Sequence, residues 1–162
     1  MSNVGTEVFL YTRPRRFGKS LNLSMLDAYL NIQHKGNPWF EGLSISMKRP
    51  DDPIKNSYPV IYMDLKGAGC GGYTGFLDRI HVKITDIYVR FNYLLESEHI
   101  PSTYKDRFIR VRDRRCTDRE LSSSIRHLSQ MLEMHHGSKT IILIDEYDDP
   151  LNSTYQDIDH DD

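Results

Sequence analysis

Cysteine is scarce in this 162-residue chain: Cys70 and Cys116 stand far apart, and neither belongs to a C-x-x-C pair. That excludes a disulfide framework and a thiolate zinc site, and it leaves the reduced thiols of a cytoplasmic protein as the expectation. Long apolar runs are also missing. The longest near the start is Val8-Phe9-Leu10-Tyr11, too short for a signal peptide or a membrane span. No charge sign dominates, since the formal net charge is −2 with 27% charged and 38% hydrophobic residues. Such a composition is that of a globular domain, not of a disordered polyelectrolyte, and the total charge gives no pull toward nucleic acid. Repeats and low-complexity tracts are absent as well.

What is there alternates between two patterns. Residues 7–12, 59–65 and 140–145 are short apolar runs rich in β-formers, without polar alternation, and read as buried strands. Between them lie helical periodicities. The first, over 19–33, carries Leu23, Leu26 and Leu30. The second repeats Leu77, Ile80, Ile84, Ile87, Phe91 and Leu94 at three- and four-residue steps. The third begins at a capping box, Thr117-x-x-Glu120, carries Leu121, Ile125, Leu128 and Leu132, and stops at Gly137. Residues 34–58 read as an irregular connection whose Trp39 and Phe40 tuck back onto the core, and residues 97–116 as a polar, basic stretch. Buried strands separated by amphipathic helices predict an α/β fold: a mainly parallel sheet with helices on both faces.

The loop between the first strand and the first helix reads Arg13-Pro14-Arg15-Arg16-Phe17-Gly18-Lys19-Ser20. From Gly18 onward it fits the phosphate-binding pattern G-x-x-x-x-G-K-[ST], with Arg13 where the first glycine belongs. Each part of that pattern has a physical task. Backbone N–H groups at a helix start form an anion nest, and Gly18 permits the turn. Lys19 can lie along β- and γ-phosphates, and Ser20 offers a hydroxyl to Mg²⁺. The third strand ends in Asp145-Glu146. An Asp carried to a sheet's carboxyl edge holds Mg²⁺, and a Glu beside it can take a proton from an attacking water. The two elements occur in order, with one further strand between them. The expected ligands are ATP and Mg²⁺. Residues 13–20 together with Leu21 are read as the nucleotide-binding loop, Ser20 and Asp145 as metal ligands, and Glu146 and Lys19 as the catalytic pair.

The wording is closer than the generic pattern demands. Residues 12–26, the Tyr58-Pro-Val-Ile strand and the run from Ile144-Asp-Glu-Tyr-Asp-Asp-Pro to Leu151 resemble the AAA-ATPase-like family. In that family an R-P-R-R-F-G-K-[ST] loop is usual, so Arg13 is expected there. The resemblance implies phosphate binding by Gly18, Lys19 and Ser20, metal binding by Asp145 and catalysis by Glu146. It also implies a P-loop domain over 1–152 that is incomplete at both ends, followed by an acidic tail at 153–162. Sensor and arginine-finger residues have no candidate. Relatives in the wider superfamily assemble to share such arginines, so a homo-oligomer is one expectation. A non-catalytic nucleotide-binding module is the alternative to an ATPase.

Weaker signals have ordinary explanations beside them. Residues 105–119 carry seven cations among three Asp, which suits either a nucleic-acid phosphate track or, as favoured here, a solvated face. Asp51, Asp64 and Lys66 faintly mimic a metal-dependent nuclease pattern. His135 and His136 are adjacent at a helix end, where they are expected to meet the last carbonyls.

Overall fold

A computed structural model of the chain describes residues 8–10, 18–69 and 72–149. Their order is helix α1 (Lys19–Leu30), a short α2 (Ser44–Lys48), strand β1 (Val60–Asp64), α3 (Gly72–Arg90), α4 (Ser102–Arg112), α5 (Asp118–Ser122), α6 (Ser124–His136) and strand β2 (Ile141–Asp145). The two strands run parallel, with Val60 opposite Ile141 and Asp64 opposite Asp145. The fold is therefore α/β around a two-stranded parallel sheet among the described residues.

The first expected strand is not observed where the chain is described. Residues 8–10 have no regular structure, and Phe9 is 74% exposed. Residues 7, 11 and 12 lie outside the described residues, as do Cys70 and the tail at 153–162. A run of β-formers makes a strand only where a neighbouring edge accepts its hydrogen bonds, so propensity alone does not suffice.

The main core is helical rather than sheet-centred. Ile84, Ile87 and Tyr88 of α3, Phe108 of α4, and Leu128 and Met131 of α6 are buried together with Ile61 and Met63 of β1. Each parallel pair in the register shares a sheet face. Ile142 and Ile144 thus lie on the side of Ile61 and Met63, yet they are 40% and 44% exposed. Among the described residues, helices covering both faces are not observed over β2, whose burial alternates along the strand.

Local chemistry accounts for the helix ends. Thr117 and Glu120 form the reciprocal capping box, and Gly137 takes the left-handed conformation, φ 67°, at the end of α6. The single helix expected between them is broken at Ser123. There the Ser122 and Ser123 hydroxyls both donate to the Arg119 carbonyl, at 3.0 and 2.7 Å, in competition with the helical ladder. α4 occupies the stretch read as polar and basic, because only Phe108 and Val111, three residues apart, are buried on it. Phe40 packs edge-on against Tyr29 at 5.0 Å, whereas Trp39 stays outside, 56% exposed.

The C-terminal end of α1 is anchored to the segment before β1. Asn56, at φ 49°, is buried, and its side-chain amide donates to the carbonyls of Ala28 and Asn31 at 3.1 and 2.9 Å. Its backbone N–H donates to Tyr29 O at 2.7 Å. These bonds satisfy carbonyls at the end of α1 that lack helical partners. They also fix how α1 lies along the sheet, with its N-terminus toward the carboxyl ends of both strands.

Candidate functional site

Gly18 precedes α1 with φ 72° and accepts from Asn22 N–H at 3.0 Å. At that angle a Cβ is strained, although no other atom lies within 4 Å of where it would stand. The glycine is therefore needed for its backbone angle, not for space. Lys19 opens the helix and Ser20 follows, exposed. Residues 13–17 lie outside the described residues, so Arg13, Pro14, Arg15, Arg16 and Phe17 are not placed. Leu21 is described, and it is exposed.

Lys19 reaches across to the end of β2. Its Nζ lies 3.2 Å from Glu146 Oε2 and 3.7 Å from Asp145 Oδ1, and also 3.8 Å from Asp148 Oδ1. The Tyr147 ring lies beneath the ammonium, 5.8 Å from its centroid, a cation–π distance. Burial pulls the Lys19 ammonium toward deprotonation, but the hydrogen bond and charge of Glu146, with the charges of Asp148 and Asp145, outweigh it and leave its pKa raised. Lys19 is thus a fixed cation.

Asp145 is only 3% exposed. Its Oδ1 accepts from the backbone N–H of Glu146 at 2.9 Å. Burial lifts the Tyr62 hydroxyl above its usual pKa. The charges of Asp145 and Asp64 add to this, as do a hydrogen bond to Asp145 and the charge of Asp27. The carboxylate of Asp145 is therefore held by the Glu146 N–H and Lys19 of α1, with Tyr62 of β1 in its field. Glu146 takes φ 51°, a left-handed angle that a non-glycine residue adopts at some cost. That turn begins the 146–149 segment, and Asp149 accepts from Gly67 N–H, tying the segment to the loop after β1.

Asp145 offers a buried carboxylate at the end of β2, and Ser20 an exposed hydroxyl one residue after Lys19. Oxygen donors of these kinds suit Mg²⁺, which takes one or two protein oxygens and completes its shell with phosphate oxygens and water. Among the described residues no group of three or more His, Cys, Asp or Glu side chains is arranged to hold a metal alone.

The other sequence candidates do not converge. Asp64 Oδ1 accepts from Lys66 N–H at 2.8 Å as a turn cap. Asp51 sits in the 49–53 loop before β1, and nothing brings it to Asp64. In the basic stretch, Arg110 pairs with Glu120 at 2.6 Å. Arg112 and Arg115 both pair with Asp113, and Arg107 donates to the Ser123 hydroxyl and the Glu120 carbonyl. Arg107 and Arg110 thus join α4 to α5, while Arg112 and Arg115 are paired at the C-terminal end of α4 itself. His135 and His136 bond to the side chains of Ser97 and Tyr93, at 2.8 and 2.9 Å, not to helix-end carbonyls. No described helix is long and apolar enough to cross a membrane.

Sequence reasoning missed Asp148. Its signal was the double acid Asp148-Asp149 right after Glu146-Tyr147, but which of the two turns back depends on the φ of Glu146.

No curated protein and no solved structure matches the chain. A family model does match, over residues 1–161, and it is described as AAA-ATPase-like, predicted AAA-ATPase. That match spans the loop before α1, both strands and the acidic turn after β2, so the chain belongs to the AAA-ATPase-like family.

Proposed function

We propose that this chain binds ATP with Mg²⁺ at the carboxyl ends of β1 and β2, and that the bound nucleotide is hydrolysed at its β–γ phosphoanhydride bond. One observation carries the reading: Lys19, first residue of a helix behind a left-handed glycine, meets Glu146, 127 residues away, and Asp145 beside it. A lysine, an aspartate and a glutamate in those places form the set that phosphoryl transfer to water requires.

Lys19 binds the β- and γ-phosphate oxygens and offsets the charge that develops on the transferring group. The first N–H groups of α1 add their dipoles. Ser20 and Asp145 are the residues that would hold Mg²⁺, which supplies charge neutralisation at the phosphate oxygens when bound. Glu146 orients a water and accepts its proton as the water oxygen bonds to the γ-phosphorus. The bond from that phosphorus to the β–γ bridging oxygen breaks, and ADP leaves with the electron pair. Arg13, Pro14, Arg15, Arg16 and Phe17 belong to the loop that would wrap the phosphates in this reading.

The test is titration calorimetry with Mg·ATP on the wild-type chain and on Lys19→Ala, followed by phosphate release from Glu146→Gln. The reading expects binding that is lost in Lys19→Ala, and turnover that falls by about 100-fold or more in Glu146→Gln while affinity persists. A folded wild-type chain that binds no Mg·ATP sinks it. Binding without any turnover in the wild type would leave the non-catalytic module in its place.

A further inference from the structure

We propose that Tyr62 is a positioning residue for the divalent cation: from the middle of β1 its hydroxyl orients the Asp145 carboxylate at the end of β2. The inference rests on the nucleotide-binding reading above and deepens it.

Register sets the geometry. Tyr62 is opposite Leu143, so the two share a sheet face, and Asp145 lies on that face two residues further along. Diagonal neighbours at that spacing are within reach of an aromatic side chain. Ile61 and Met63 point the other way, into the helical core, which leaves Tyr62 on the side of α1. Lys19 of α1 meets Asp145 on that same side, at 3.7 Å. From β1 the Tyr62 hydroxyl donates to the Asp145 carboxylate. Tyr62 is itself fixed through its backbone, since its carbonyl accepts from the Arg90 guanidinium of α3 at 3.0 Å.

Asp145 needs such a partner. With 3% of its surface exposed, its carboxylate is oriented by protein groups instead of by bulk water. A carboxylate has about four lone-pair sites. The Glu146 N–H takes one on Oδ1 at 2.9 Å, and the Tyr62 hydroxyl takes another. One donor from the turn and one from the neighbouring strand fix the carboxylate, and the remaining sites serve Lys19 or a cation. Hydrogen bonds to a ligating carboxylate set its orientation, and losing one costs about 10- to 100-fold in metal affinity. β1 thus supports the metal site without supplying a ligand.

The experiment is titration calorimetry of the full chain with Mg·ATP and with ATP in EDTA, for wild type, Tyr62→Phe, Asp145→Ala, the double variant and Tyr88→Phe. Tyr62→Phe keeps the ring and removes only the hydroxyl. It is expected to weaken Mg·ATP binding about tenfold while metal-free ATP binds as before. On the Asp145→Ala background the same change has no further effect on the preference for Mg·ATP. Tyr88→Phe loses its bond to Ser124 O in the helical core and keeps the wild-type preference. A second readout needs no nucleotide. In urea unfolding the Tyr62→Phe and Asp145→Ala effects are non-additive, by roughly fivefold in the unfolding equilibrium constant. An unchanged preference in Tyr62→Phe overturns the proposal, and so does an equal fall in Tyr88→Phe or a strictly additive unfolding cycle. Those outcomes leave the nucleotide site standing. A folded wild type that binds neither form removes both readings together.

Discussion

Glu146 is the residue whose backbone and side chain serve opposite ends. Its carboxylate meets Lys19 at 3.2 Å, while its φ of 51° is an angle that glycine adopts freely and L-residues do not. A non-glycine residue there costs about 1–2 kcal/mol. Comparing Glu146→Gly with Glu146→Ala removes the carboxylate in both and isolates that cost. The glycine variant is expected to be the more stable of the two by about 1 kcal/mol in urea unfolding, the reverse of the usual order. Equal stabilities, or the usual order, would mean the turn is not strained. Both variants should lose turnover, so strain at this point accompanies function instead of stability. The same turn explains why Asp148 could not be read from the sequence. Lys19 and Asp145 were legible because their motif positions fix them on a helix start and a strand end. A side chain after a left-handed residue can be placed only once that angle is known.

Among the elements, α3, α4 and α6 meet at one buried histidine. His127 of α6 is 3% exposed, stacked on Tyr104 of α4 with ring centroids 5.2 Å apart, and 3.3 Å from the Tyr88 hydroxyl of α3. That hydroxyl donates to Ser124 O at 2.8 Å, and burial holds its proton on. Burial, then the charge of Arg107, pushes His127 down to about 4; the Tyr104 backbone opposes this, Arg110 adds a lesser lowering and Glu120 a still smaller raising contribution. With the folded value below the unfolded value near 6.5, the unfolded chain takes up the extra proton as pH falls. The stability from neutral burial is thus fully present above pH 6.5 and is lost progressively toward pH 4. Between pH 7 and pH 5 the wild type should lose about 2 kcal/mol more than His127→Gln in urea unfolding. The difference between the two chains matters because burial lowers His136 as well. Parallel pH profiles would sink the assignment. This junction was only half legible in the sequence. The periodic apolar residues of α3 and α6 announced themselves, and so did the capping box at Thr117. α4 did not, because cations and Asp surround the two residues that bury it. The break at Ser123 was hidden because three consecutive serines carry no periodic signal.

At the scale of the molecule, the sheet of the described residues is the edge of their core and not its centre. Apolar runs such as 140–145 were read as doubly covered strands, since a strand without alternation is ordinarily enclosed. Hydropathy cannot report whether a covering element is present, and here the cluster of α3, α4 and α6 reaches β1 but stops short of β2. Register partners therefore carry unequal weight. Ile61 is fully buried, while Ile144, on the same face one strand over, is 44% exposed. Removing buried methylenes costs their transfer free energy and adds a cavity, whereas an exposed side chain leaves no cavity. Ile61→Ala should lower unfolding free energy by about 3 kcal/mol, and Ile144→Ala by about 1 kcal/mol or less. Urea midpoints at a constant slope give both values. Similar costs at the two positions would mean that β2 is covered in solution on the side left exposed here. Apolar side chains exposed beside one another also invite association between copies. Ile144→Lys is therefore expected to lower self-association in sedimentation velocity while leaving the urea midpoint near that of Ile144→Ala. A copy-to-copy contact through this face would connect the sheet to the homo-oligomer expected from the sequence, and an unchanged sedimentation profile would rule that route out.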